Sequence, residues 1–106
     1  MWAEHFVIIL LKQKNRVIGV STVSIGSLTI SIVRPREVFK GVILSNAASI
    51  ICGHNHPSTD CQPSKEDRAI TARLVEAGRL LGVNVLDHVI IGGERSYFSF
   101  ADENLL

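Results

Sequence analysis

The chain has 106 residues, 46% of them apolar and 20% charged, with a formal net charge of +1. That size supports one hydrophobic core without staples, and the balance excludes a disordered segment and a strongly basic nucleic-acid binder. Two cysteines, Cys52 and Cys61, are too few for a disulfide scaffold and suit a reducing cytosol; no run is long enough to span a membrane and no signal peptide precedes the first strand, so a single cytoplasmic domain over residues 1–106 is expected.

Residues 6–11 form a continuous apolar run, which predicts a strand covered on both faces. Lys12-Gln13-Lys14-Asn15 reads as a polar turn, and the apolar pattern resumes over residues 16–24, so the two make a hairpin with basic residues at its tip. After Gly26-Ser27, residues 28–33 alternate in a way that fits a short edge strand or an extended connection. A helix starts at Arg34-Pro35-Arg36-Glu37, where the missing donor of Pro35 costs nothing, buries Val38, Phe39, Val42 and Ile43, and ends at Ser45-Asn46. A strand follows over residues 48–54. Residues 67–81 place Ile70, Leu74, Ala77 and Leu81 at helical spacing, with Gly82 as the stop. Residues 83–91 and 96–100 read as strands joined by a turn at Gly92-Gly93-Glu94-Arg95. The order ββ(β)αβαββ predicts a mixed sheet with flanking helices, α/β or α+β, around one core. The edges at residues 28–33 and 96–100 would suit pairing with a second copy, which makes a homodimer compatible with the sequence.

The chemistry concentrates in residues 53–67, GHNHPSTDCQPSKED. Side chains alternate along a strand, so His54 and His56 face the same side and can share one ion. Pro57 ends strand pairing and sets His56 at the end of the sheet. Seven residues separate His56 from Ser64, and two separate Ser64 from Asp67. Ser64 as N-cap with Asp67 as third helical residue makes a capping-box-like start, so Asp67 has a purely local explanation too. A carboxylate has two oxygens and can serve both purposes. Two imidazoles and a carboxylate are what a catalytic zinc ion needs, with the fourth tetrahedral position left for water. Such a site also requires a base for the water's proton and a donor for the oxyanion. Ser64 can be the donor; spacing alone does not name the base.

The pattern His-x-His, seven residues, Ser, two residues, Asp resembles the signature of the JAMM (JAB/MPN-plus) metalloproteases. The likeness is closer to RadC-type proteins, through Pro35-Arg36-Glu37-Val38-Phe39, His54-Asn55-His56-Pro57-Ser58, Pro63-Ser64-x-x-Asp67, Leu86-Asp87-His88 and Ser99-Phe100. It implies a JAB/MPN, cytidine-deaminase-like α-β sandwich. It implies Zn2+ held by His54, His56 and Asp67, with zinc-bound water attacking an amide or isopeptide bond of a peptide or protein. Ser64 would stabilise the oxyanion, and Glu4, the acidic residue just before the first core strand, would be the general base. The chain departs from the family in carrying Thr59 where RadC-like loops have Gly, and in Cys61, which reads as a loop residue. Asp60 and Glu66 do not fit the ligand spacing. Asp87 and His88 are neighbours on a strand and face opposite sides, with hydrogen-bonded structural roles expected for both. Cys52 is read as a small core residue.

Two other function classes remain in view. The RadC likeness also suggests a DNA-repair accessory or nucleic-acid-binding module, with nucleic acid engaged through the rest of a longer protein. The near-neutral charge and the absence of a stacking-aromatic stripe argue against this for the present domain. An MPN-type scaffold without catalysis is the third class, and the complete ligand set argues against it.

Overall fold

The computed structural model describes residues 4–25, 33–56, 60–93 and 95–106. In chain order the elements are β1 (His5–Leu11), β2 (Val17–Ile25), α1 (Pro35–Ser45), β3 (Ser49–Asn55), α2 (Lys65–Leu81), β4 (Asn84–Ile91) and β5 (Tyr97–Ser99), with a 3-10 turn at Gln13–Asn15 between the first two strands. The five strands form one sheet in the order β2-β1-β3-β4-β5. β3 and β4 run parallel, joined through α2, and every other pair is antiparallel. This is the mixed α+β sheet with two helices that the element order predicts, and it is consistent with the JAB/MPN fold. Among the described residues, no helix is long and apolar enough to cross a membrane.

Local chemistry explains the boundaries. Pro35 opens α1 without losing a hydrogen bond, and Asn46 closes it in the left-handed region at φ 59°, its N–H donating back to the last turn. α2 ends at Gly82, at φ 74°, where Val83 N–H reaches Gly78 O at 2.8 Å. That closure brings the chain hard against α2. A Cβ on Gly78 would stand 2.5 Å from Val83 O and 3.4 Å from the Phe39 ring, so only glycine fits there.

The core lies on one face of the sheet. Phe6 and Ile8 of β1 and Ile50 and Cys52 of β3 pack with Phe39 and Val42 of α1 and with Ile70 and Leu74 of α2. Three expectations need correction. β1 is fully covered on one face only: Val7 and Ile9 are half-buried and join Ile51, Val89 and Ile91 along an open apolar groove on the reverse of the sheet. An unbroken apolar run reads the same whether its second face is sealed or merely grooved. The α2 stripe is rotated from the one expected, since Leu81 is 50% exposed while Asp67, Thr71 and Gly78 are buried. Near the end of the helix the buried position is Gly78, which Val83 and Phe39 approach, and not Leu81. In α1, Ile43 is likewise exposed. The strand expected over residues 28–33 falls outside the described residues except at its end, where Val33 is buried.

Candidate metal centre

Strand alternation carries Ile50, Cys52 and His54 onto the inner face of β3. His54 is 3% exposed, its ring stacked on Phe6 at 5.9 Å between centroids. His56 lies one residue past the strand, where its N–H still donates to Ile91 O at 2.8 Å and holds the chain against β4. Asp67 comes from the first turn of α2 through a complete capping box. Its N–H donates to Ser64 Oγ at 3.1 Å, and its Oδ2 accepts from Ser64 N–H at 2.8 Å. The cap thus sets the carboxylate's orientation. Oδ1 faces His54 Nε2 at 3.2 Å, and Oδ2 faces His56 Nε2 at 3.1 Å.

The ring nitrogens can be assigned from their partners. His56 Nδ1 faces the carbonyl oxygen of Asp60 at 3.0 Å. A carbonyl only accepts, so Nδ1 carries the hydrogen, and Nε2 faces the equally accepting Asp67 Oδ2, where a proton or a metal ion fits between them. His54 Nδ1 is engaged by His88 Nε2 at 2.8 Å, so its Nε2 too is left facing the carboxylate. That Nε2 is buried and has no hydrogen-bond partner. Burial alone would raise the Asp67 carboxyl, but a proton on the adjoining His54 imidazole and the Ser64 N–H outweigh it and hold the group well below the usual carboxylate range. One ligand atom from each of the three residues lies within 4.8 Å of the others. An anion and two imidazole nitrogens converging on one point, one of them orphaned, is an arrangement completed by a cation. The donor set is compatible with a zinc site of the JAMM type. Among the described residues this is the grouping that can hold a metal; Cys61, Asp60 and Glu66 lie outside it.

The other expected site residues are placed as follows. Ser64 is exposed, and because its oxygen accepts in the cap, its own O–H is left to donate outward. Glu4 is partly buried just before β1. Phe6, two residues on, pairs with His54 in the antiparallel register, so Glu4 precedes β1 at the end of the sheet that carries His54. The Asn55 side chain accepts from His5 N–H at 2.7 Å, which ties down the backbone beside Glu4. Asp87 faces away from the site and is structural, accepting from Ser99 Oγ at 2.6 Å and from Ala101 N–H at 3.0 Å.

His88 goes beyond the structural role expected for it. It is fully buried and touches a candidate ligand directly, with Thr71 Oγ1 on its other nitrogen at 2.5 Å. Burial first, and the neighbouring His54 second, pull its pKa down to about 3, against the opposing pull of Asp67 and Asp87, so its imidazole is neutral. Sequence reading passed over Thr71 entirely. Its signal was its place four residues after Asp67, on the same face of the helix.

A family model described as the RadC-like JAB domain matches residues 1–105. The chain is similar to a UPF0758 protein of Rubrobacter xylanophilus, 52% identical over 97% of this chain and 44% of the relative. One from Symbiobacterium thermophilum is 54% identical over 97% of this chain and 44% of the relative. Another, from Geobacillus thermodenitrificans, is 59% identical over 87% of this chain and 41% of the relative. The chain thus spans less than half the length of these relatives.

Proposed function

Because this chain belongs to the RadC-like JAB domain family, we propose that it is a zinc-dependent hydrolase of the JAMM type, acting on an amide or isopeptide bond of a peptide or protein. The observation that carries this reading is the convergence of His54 Nε2, His56 Nε2 and the Asp67 carboxylate, with the buried His54 Nε2 lacking any hydrogen-bond partner. His54, His56 and Asp67 would hold the ion and leave one tetrahedral position open. When bound, zinc there supplies Lewis acidity, drawing a water toward ionisation at neutral pH and polarising a carbonyl. Glu4, just before β1 and beside the anchored His5 N–H, would accept the water's proton and return it to the leaving nitrogen. Ser64 would donate its free O–H to the developing oxyanion. The two free cysteines support a reducing, cytoplasmic setting.

The test is elemental analysis of protein purified without chelator, alongside Glu4→Gln. About one zinc per chain is expected. The glutamine variant should retain the metal while hydrolysis across an amide and isopeptide panel drops ~10²–10⁴-fold. A chain that takes up no zinc on titration overturns the reading and favours a binding module. Full hydrolysis by Glu4→Gln overturns the assignment of the base alone.

A further inference from the structure

We propose that Thr71 and His88 are positioning residues: a one-way chain of hydrogen bonds that begins at a helix carbonyl and ends by fixing a hydrogen on Nδ1 of His54, which keeps Nε2 for a metal ion. The inference rests on the metal reading of the site and adds two residues to it.

A threonine hydroxyl has one hydrogen and two lone pairs. Thr71 Oγ1 gives that hydrogen to Asp67 O, one turn back along α2, at 2.7 Å. Toward His88 Nδ1 it can then only accept, so His88 carries its hydrogen on Nδ1. The neutral ring consequently has a lone pair on Nε2, which faces His54 Nδ1 at 2.8 Å and must receive a hydrogen from it. With Nδ1 committed to His88, His54 keeps Nε2 as the nitrogen turned toward Asp67 and available to a metal ion. Each step follows from the one before, and the first is decided by the backbone of α2.

The opposite direction fails at Thr71. If Thr71 donated to His88 instead, Asp67 O would lose the hydroxyl hydrogen that sits on it at hydrogen-bond distance. The packing also prevents rotation of the relay ring. His88 is stacked face-on against Phe100, at 5.0 Å and 8° between planes, with the Phe6 ring edge-on at 5.6 Å.

The experiment uses histidine labelled with nitrogen-15 in the whole chain, first without metal, where two-bond nitrogen–proton couplings report which ring nitrogen bears the hydrogen. His54 and His88 should both carry it on Nδ1. Thr71→Val keeps the shape of the side chain but removes the acceptor for His88, so both rings should shift to the Nε2–H form. Zinc binding, measured by chelator competition, should weaken ~10–100-fold. Thr71→Ser, which restores the hydroxyl, should restore both the couplings and the affinity. A wild-type chain with hydrogen on Nε2 of His88 overturns the proposal, as does a valine variant with wild-type couplings and wild-type zinc affinity. If the valine variant does not fold, the wild-type couplings alone decide the direction. A wild-type chain that binds no zinc sinks the metal reading instead, and the relay is still judged by the metal-free couplings.

Discussion

Asp67 has two duties, and two substitutions separate them. As third residue of α2 it completes the cap with Ser64; as an anion it closes the group formed with His54 and His56. Asp67→Asn retains an oxygen that can accept from Ser64 N–H and removes only the charge. Asp67→Ala removes both. The alanine variant keeps the Ser64 cap on its backbone N–H and loses the reciprocal bond from Ser64 N–H, which costs about 1 kcal/mol. In a chain of this length that lowers the melting temperature by roughly 4–8 °C. Without metal, therefore, the alanine variant should melt several degrees below the asparagine variant. Zinc at a hundredfold excess over its dissociation constant adds about 2.7 kcal/mol to a protein that binds only when folded. The wild type should then rise by roughly 10–20 °C, and neither variant should follow. Thermal melts with and without zinc, read by circular dichroism, provide all six values. If the asparagine variant gains the full zinc shift, the carboxylate is not a ligand. If the two metal-free variants melt together, the cap contributes nothing to stability and the account of how Asp67 is oriented is wrong.

Gly78→Ala should destabilise the chain by about 1–3 kcal/mol in urea unfolding, because the new methyl meets Val83 O at 2.5 Å; a loss under half a kcal/mol would show that the loop yields. Acid should weaken the metal-free fold through His88. Unfolded, this ring takes up a proton as pH falls through about 6.5, whereas folded it resists until about 3, so stability is whole above the upper value and is lost below it, at up to ~1.4 kcal/mol per pH unit. Urea curves at neutral pH and near pH 5 that coincide would contradict this. Burial, and secondarily Asp87, push the Cys52 thiol up to about 12, whereas Cys61 is only half-buried. Alkylation of folded protein followed by mass spectrometry should label Cys61 alone, with Cys52 reacting only after denaturation.

The site could be read from sequence to the extent that it is local. His54 and His56 share a face because strands alternate, and Ser64 with Asp67 announces a helix start; each rule needs only a few neighbouring residues. What stayed hidden depends on pairing across the chain. His88 reaches His54 because β4 lies parallel to β3 with Cys52 opposite His88, a register that no local pattern encodes. Thr71 looked like one more polar residue in a helix until that strand supplied its partner. The same limit explains Leu81. Helical spacing placed it on the buried stripe, but the buried position near the helix end is Gly78, against which Val83 packs from beyond the helix. The element order, by contrast, was legible almost throughout, because glycine, proline and the caps punctuate it.

The rings around the site have a spectroscopic consequence. Aromatic electrons circulate in a magnetic field and shield protons held above the ring plane. His88 lies flat over Phe100 and His54 is stacked on Phe6, so the carbon-bound protons of both imidazoles should resonate at unusually high field. His56, 16% exposed at its side chain and stacked on neither phenylalanine, should remain apart from them. Arrival of a metal, or a slip of the segment that carries Phe100, would move these lines in a simple proton spectrum. The chain therefore contains its own reporter of the state of the site, without any foreign label.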